Sequence, residues 1–278
     1  MSGLETHPQG TRLTLLGTGG AGGVPMVSVG WGACDPAEPR NRRLRSSALI
    51  ETAGRRILID TTPDLRQQLL TVGVNRLDAV LFTHTHADHI HGLDDLREVN
   101  RVIRDGLPVY ADASTLDSLT HRFAYAFDEL DLEKEPVWRP WLRPRVIADP
   151  KPGPVRFEVA PADGGAAVTL TALWQDHGIG HSLGFRIGNM AYCTDAWELP
   201  PSTRDALRGL EVLVVGCLIN REHHTHAHVD KVLAWVDDLK PRRTVLTHMG
   251  PGLDFGRLSR ELPEGVEPGH DGMVLYGT

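Results

Sequence analysis

Residues 84–89 read His-Thr-His-Ala-Asp-His and follow directly on an apolar run, Leu77-Asp78-Ala79-Val80-Leu81-Phe82-Thr83. Three imidazoles and a carboxylate within six residues are costly to bury without partners, so a fold that ends a core strand here must give them something to hold. His84 and His86 are two apart and point the same way from extended backbone. Asp88 and His89 follow on a turn that leads into a helix and face a second point nearby. One metal ion does not easily use all four groups. Two adjacent ions do, and paired metals activate water against phosphate or carbonyl centres.

The chain has 278 residues, 41% of them apolar, enough to bury a large core. Its 29 glycines and 19 prolines imply many turns, as in sheet-rich folds. A formal charge of −7 argues against a general nucleic-acid binder, although a metal site supplies its own positive charge to a small anionic substrate. Cys34, Cys193 and Cys217 lie far apart with no Cys-x-x-Cys pair, which indicates neither a disulfide framework nor a cysteine zinc cage. No apolar stretch reaches membrane length, and the first residues, MSGLETHPQG, are polar. A cytoplasmic protein is the expectation.

Strands are predicted at Arg12–Leu16, Ser47–Thr52 and Arg56–Asp60, the last two as a hairpin around Ala53-Gly54. A helix follows over Asp64–Val72, opened by Pro63 and closed by Gly73. Asp78–Phe82 is a buried strand, Asp88–Val99 a helix, Pro108–Ala111 a strand, and Ser114–Phe123 a helix capped by Ser114. Residues 124–155, with six prolines, Trp138 and Trp141, read as an irregular excursion whose aromatics need burial. Strands resume at Ala167–Leu173, Leu183–Ile187, Met190–Thr194 and Val212–Cys217, then a helix over Val229–Leu239 and a strand at Thr244–Thr247. With no repeat and no break in composition, residues 1–278 are expected to form a single domain. Its predicted architecture is two packed mixed sheets with helices on both outer faces, an αββα sandwich of the α/β class.

Three more metal-capable side chains stand just past apolar strands: His177, Asp195 and His248. Asp60 ends the strand Ile-Leu-Ile-Asp and is placed to orient a metal-bound imidazole. The glycines of residues 17–23, which lack the terminal Lys-Ser/Thr of a P-loop, are expected to let backbone approach the metals. Arg40, Arg42, Arg43 and Arg45 either clamp a phosphate or form a solvated, ion-paired loop; Arg42 and Arg45 are the substrate-binding candidates. His181 and His270 lie near motif residues and are further candidates for substrate contact. His91 and Asp94 read as ordinary helix-surface groups.

With these residues in place, the chain resembles the metallo-β-lactamase-fold hydrolases, whose hallmark is His-x-His-x-Asp-His followed by a later His, Asp and His. The resemblance covers nearly the whole chain. It implies that His84, His86 and His177 hold one divalent ion, that Asp88, His89 and His248 hold a second, and that Asp195 bridges them. An Asp at the bridging position, in Tyr-Cys-Thr-Asp (192–195), matches phosphodiesterase, ribonuclease and glyoxalase-like members. GTGGAGGVP (17–25), NRRLRSSALI (41–50), LGFRIG (183–188) and LTHMG (246–250) are similar to the branch containing the phosphoribosyl 1,2-cyclic phosphate phosphodiesterase of phosphonate breakdown. HHTHAHVD (223–230) matches that branch's His-Pro-Thr-His pattern with His224 in place of Pro, which implies catalytic roles for His226 and His223 beside Asp88. The branch's structural zinc run is represented only by Cys34, with Val29 and Trp31 at its other positions, so no structural zinc is expected.

The activity implied is cleavage of a small, cyclic phosphodiester by hydroxide held between two metals, zinc or manganese with iron also suitable, while His226 protonates the leaving oxygen. The implied partner is that small molecule, with a homodimer as the commonest symmetric assembly. Three other readings share the ligand set. A tRNA 3′-processing ribonuclease would carry a basic arm that is missing here. A glyoxalase II-like thioesterase would need a helical domain, whereas 30 residues follow His248. A non-catalytic cofactor-handling protein would tolerate degraded ligands, whereas all seven positions are filled.

Overall fold

In the computed structural model, which describes residues 10–160 and 165–277, apolar side chains alternate along the strands and so decide the layering. The order is β1 (Thr11–Gly17), β2 (Ser47–Thr52), β3 (Arg55–Ile59), α1 (Leu65–Val72), β4 (Ala79–Leu81), α2 (Ala87–Ile90), α3 (Leu96–Ile103), β5 (Leu107–Asp112), α4 (Ala113–Arg122), β6 (Leu142–Ile147), β7 (Val155–Val159), β8 (Val168–Asp176), β9 (His181–Ile187), β10 (Met190–Cys193), α5 (Pro201–Ala206), β11 (Val212–Gly216), α6 (Val229–Leu239), β12 (Arg243–Thr247), α7 (Phe255–Glu261), β13 (Val266–Pro268) and β14 (Val274–Gly277). One sheet runs β14-β1-β2-β3-β4-β5-β6 and the other β13-β12-β11-β10-β9-β8-β7. Each is mixed: β3 to β6 pair parallel, as do β10 to β13, and the remaining neighbours pair antiparallel.

Ile57, Ile59 and Leu81 from the first sheet meet Phe185, Tyr192 and Val214 from the second in a core between the sheets. Their strand neighbours Leu58 and Val80 face outward into a cluster with α1, α3 and α4, through Leu65, Leu96, Val99 and Leu116. Leu213 and Val215 face the opposite way, onto α6 and α7 through Val232, Trp235 and Leu258. This is the αββα sandwich. Each fully buried aliphatic side chain contributes roughly 1.5–3 kcal/mol, so two-sided burial of every central strand is the main stabilising term.

Four local expectations are corrected. The helix expected over Asp88–Val99 is broken into α2, a 3-10 turn at Leu93–Asp95, and α3. Gly92 explains the break, because a Cβ there would lie 1.8 Å from the Thr62 carbonyl oxygen, so the backbone itself packs against residue 62. The cap of α4 is Asp112 rather than Ser114, its Oδ1 accepting from the Thr115 amide at 2.8 Å. The 124–155 segment is not wholly irregular: β6 forms within it, parallel to β5, and tolerates Pro144 because it is the edge strand of its sheet. Trp141 is buried as expected, but Trp138 is exposed and donates Nε1–H to Glu135 at 2.7 Å. His91 and Asp94 are exposed, Asp94 accepting from the Tyr125 hydroxyl at 2.8 Å. The polar N-terminal stretch, residues 1–9, lies outside the described residues.

Candidate metal centre

The parallel halves of the two sheets end on the same side, and their C-terminal ends carry the chemistry, as in other open α/β sheets. Asp60 follows β3, His84 lies three residues past β4, Asp112 ends β5, Asp195 lies two past β10, and His248 follows β12. Asp60, Asp195 and His248 take φ values of 62°, 52° and 55°, a region that non-glycine residues seldom occupy. The chain turns sharply at the moment each strand releases its polar residue.

Two groups of ligand atoms result. Those of His84, His86, His177 and Asp195 lie within 4.8 Å of one another, and so do those of Asp88, His89, Asp195 and His248. Asp195 belongs to both. Its Oδ1 is 3.3 Å from His89 Nε2, and its Oδ2 is 3.3 Å from His248 Nε2, 3.7 Å from His84 Nε2 and 3.8 Å from His177 Nε2. All seven residues picked from the sequence are brought together, and all but His86 are buried.

Three imidazoles are locked in one tautomer. His89 Nδ1 donates to Asp60 Oδ2 at 2.7 Å, as expected of Asp60. His177 Nδ1 donates to the Thr225 carbonyl at 2.8 Å, since a carbonyl only accepts. The Thr83 hydroxyl spends its proton on Asp60 and therefore accepts from His84 Nδ1 at 2.9 Å. Each contact leaves an Nε2 lone pair facing the cluster, the usual outer arrangement of a metal-binding histidine. Nε2 of His84 and of His89 are buried with no hydrogen-bond partner, which is the condition a bound cation would relieve. Burial alone would raise Asp195, but His248, His89 and His84 around it hold its carboxyl well below the usual range. Buried carboxylates among imidazole nitrogens suit a divalent ion.

His226 stacks on His248 with ring centroids 4.9 Å apart, and its Nδ1 is 3.8 Å from Asp195 Oδ2. Burial first, helped by its histidine neighbours and opposed by Asp195, pushes its pKa down to about 3. His223 Nδ1 accepts from the Thr225 amide at 3.3 Å and holds the 223–226 turn, with its ring 5.5 Å from that of His226. His224 is exposed, stacked on His223, and His228 occupies the cap position of α6 without a side-chain cap bond.

The glycine loop does approach the cluster. A Cβ on Gly20 would stand 3.5 Å from the His248 ring, and the loop holds that segment through the Met249 amide on the Thr18 carbonyl at 2.8 Å. The arginines sit further out. Arg45 pairs with Asp64 at 3.1 Å, Arg42 is exposed over the Trp31 ring, and Arg40 pairs with Glu38. Arg43 is buried, donating to the Gly250 carbonyl and approaching Cys34 Sγ at 3.8 Å. Cys34 is thus a buried partner of a guanidinium. His270 contacts the Asp271 carbonyl and the Phe255 ring.

A cavity of about 230 Å³ opens beside the first ligand group, lined by His84, His86, His177, Ser114, Thr115 and His181 among others. Arg42 and Arg45 are not in that lining. His181 Nε2 is 2.7 Å from Asp112 Oδ2. Asp112 was not singled out from the sequence. Its only signal was a carboxylate ending an apolar strand, the same signal that marked Asp60.

A beta-lactamase superfamily domain matches residues 55–249. The chain is similar to a crystal structure described as a new diphosphatase from the PhnP family, at 31% identity and a TM-score of 0.84, covering 97% of this chain and 98% of that one. It is 34% identical over 265 residues to an octanoyltransferase of Porphyromonas gingivalis, covering 94% of this chain but about half, 51%, of that protein. A shorter match, 32% identical over 103 residues, joins 36% of it to 33% of a ribonuclease Z of Bradyrhizobium. With the sandwich, the His-x-His-x-Asp-His turn and the shared Asp195 in place, the chain belongs to the beta-lactamase superfamily and, within it, to the PhnP family.

Proposed function

We propose that the protein is a hydrolase with two divalent metal ions, acting on a small phosphodiester. The observation that carries this reading is the carboxylate of Asp195, which is a member of both ligand groups. His84, His86 and His177 would hold one ion, and Asp88, His89 and His248 the other. Zinc, manganese and iron all accept such a nitrogen and oxygen set. When bound, the ions supply a water with a pKa of about 7 and stabilise charge on phosphoryl oxygens.

The chain's own residues do the rest. Asp60, the Thr83 hydroxyl and the Thr225 carbonyl each take the Nδ1 proton of one imidazole and fix its direction, leaving Nε2 turned to the cluster. His226 stands beside Asp195 and His248 at the edge of both groups, where a leaving oxygen would depart. Its ring is neutral without substrate, because burial disfavours the imidazolium. A phosphate anion set against it raises its proton affinity, so the proton it passes to the leaving oxygen is recruited by the substrate. His223 holds the turn that presents it.

The similarity to a PhnP-family diphosphatase favours a second form of the same chemistry, attack on a P–O–P linkage in place of an ester. Both need in-line attack at phosphorus and a proton for the departing oxygen.

The test is hydrolysis of bis-p-nitrophenyl phosphate, p-nitrophenyl phosphate and a thioester, with Zn²⁺ or Mn²⁺ added. Selective cleavage of the diester is expected. Turnover of the thioester alone would replace this reading with a glyoxalase-like one, and silence on all three would remove it. In His226→Ala, turnover should fall by about 100- to 10,000-fold with metal content unchanged. Undiminished turnover would deny His226 its proton-donating role.

A further inference from the structure

The Asp112–His181 pair has no part in the two ligand groups, yet its histidine lines the cavity beside the first of them. Asp112 divides its two oxygens. Oδ1 caps α4, accepting from the Thr115 amide at 2.8 Å and the Ser114 hydroxyl at 2.7 Å. Oδ2 is spare and takes His181 Nε2 at 2.7 Å. His181 is the first residue of β9, directly across the ladder from Asp176, and its ring stacks on Trp174 at 6.1 Å with an interplanar angle of 13°. The ring is therefore fixed at one edge by a carboxylate and on one face by an indole.

Its other edge is free. Nδ1 has no hydrogen-bond partner among the described residues, and the side chain keeps 33% of its exposure. Here one nitrogen is tied down, the other has no partner among the described residues, and the residue lines the cavity shared with His84, His86 and His177. Resting on the phosphate-cleaving reading above, we propose that His181, positioned by Asp112, is the substrate anchor of this site: its Nδ1–H binds an anionic oxygen on a group next to the reacting phosphorus, so the substrate carries a second negative charge beyond the scissile one.

Asp112 supports the doubly protonated ring that such a donor requires. The hydrogen bond to Asp112 raises the pKa of His181, against burial, with Asp149 adding to the rise and Lys151 opposing it. Ser114 and Thr115, from the first turn of α4, line the same cavity. An imidazolium held by this carboxylate would offer its other N–H to a substrate anion, and a charge-assisted bond of this kind is among the stronger polar contacts.

The test reads binding directly. The metal-loaded protein is titrated calorimetrically with inorganic pyrophosphate and, separately, with orthophosphate. In His181→Ala, pyrophosphate should bind about tenfold or more weakly, while orthophosphate, which reaches only the ligand groups, changes by less than about twofold. Asp112→Asn should fall between the two. With its carbonyl oxygen kept for the α4 cap, it turns its NH2 toward His181 Nε2, which then accepts, so the ring keeps an Nδ1–H donor but loses the imidazolium charge. His181→Gln retains a donor and should recover part of the loss. Equal weakening of both ligands, or unchanged pyrophosphate binding in His181→Ala at wild-type metal content, overturns the anchor. Because no turnover is measured, a failure to cleave the diester above and a failure of this anchor are separate results.

Discussion

Nδ1 of His89 lies 2.7 Å from Oδ2 of Asp60, and both residues are fully buried. The same carboxylate takes the amide and hydroxyl of Thr83, each at 2.8 Å. Asp60 thus fixes two neighbouring imidazoles at once, His89 directly and His84 through the Thr83 hydroxyl. Asp60→Asn should therefore weaken metal binding by about 10- to 100-fold, the size usual for outer partners of a ligand. Competition with a chromogenic chelator measures it. Metal affinity equal to wild type would mean that the ions do not depend on this support.

Asp195 is the group that both ligand sets share. Removing a ligand from one set should cost one ion, whereas Asp195→Ala should cost both. Metal analysis after gel filtration should find the variant largely depleted where His86→Ala keeps the ion of the other set. Full occupancy in Asp195→Ala would sink the bridging assignment.

Much of this site was legible because its parts are adjacent along the chain or marked by a common pattern. His84, His86, Asp88 and His89 fall within six residues, and His177, Asp195 and His248 each follow an apolar strand. What could not be read was whatever only the packing of the two sheets creates. Asp112 and His181 are 69 residues apart, and His177 and the Thr225 carbonyl are 48 apart, with no local spacing to signal either contact. A backbone carbonyl leaves no mark in a sequence at all. In the fold, the layers followed from alternation, while β6 was hidden by Pro144 and the break at Gly92 by a backbone contact to Thr62.

The Asp112–His181 pair also predicts a pH window for stability. Burial alone would raise Asp112, but His181 and the cap bonds bring it down to about 2 from 3.8, so its contribution is present above 3.8 and is lost as the pH falls toward 2. His181 is raised above 6.5, so its contribution is complete below 6.5 and is lost as the pH rises through the folded value. The two overlap between pH 3.8 and 6.5. The difference in Tm between the protein and His181→Ala, measured across pH 3–9, should peak in that interval and shrink on either side. Other groups titrate in both proteins and cancel in the difference. A pH-independent difference would show that the pair is held by packing and not by charge.

Gly178 tests whether the turn after His177 is what aims that imidazole. Its φ is +81°, and a Cβ there would stand 2.2 Å from the His224 carbonyl oxygen and 3.1 Å from Thr225 Cα. The residue therefore lets the 177–180 turn press against the very backbone whose Thr225 carbonyl takes the His177 Nδ1 proton. An alanine must push the two apart and also adopt a left-handed conformation, at a cost of about 1–3 kcal/mol. Overall folding should survive that cost, since the sandwich core lies elsewhere. The loss should fall on the first ligand group, because His177 would lose its lock while the second group, with His89 still held by Asp60, is not touched. Gly178→Ala should then retain one ion and lose the other, with a Tm lowered by several degrees. Loss of both ions together would mean that the two ligand groups assemble as a unit, and retention of both would mean that the Thr225 contact does not set the direction of His177.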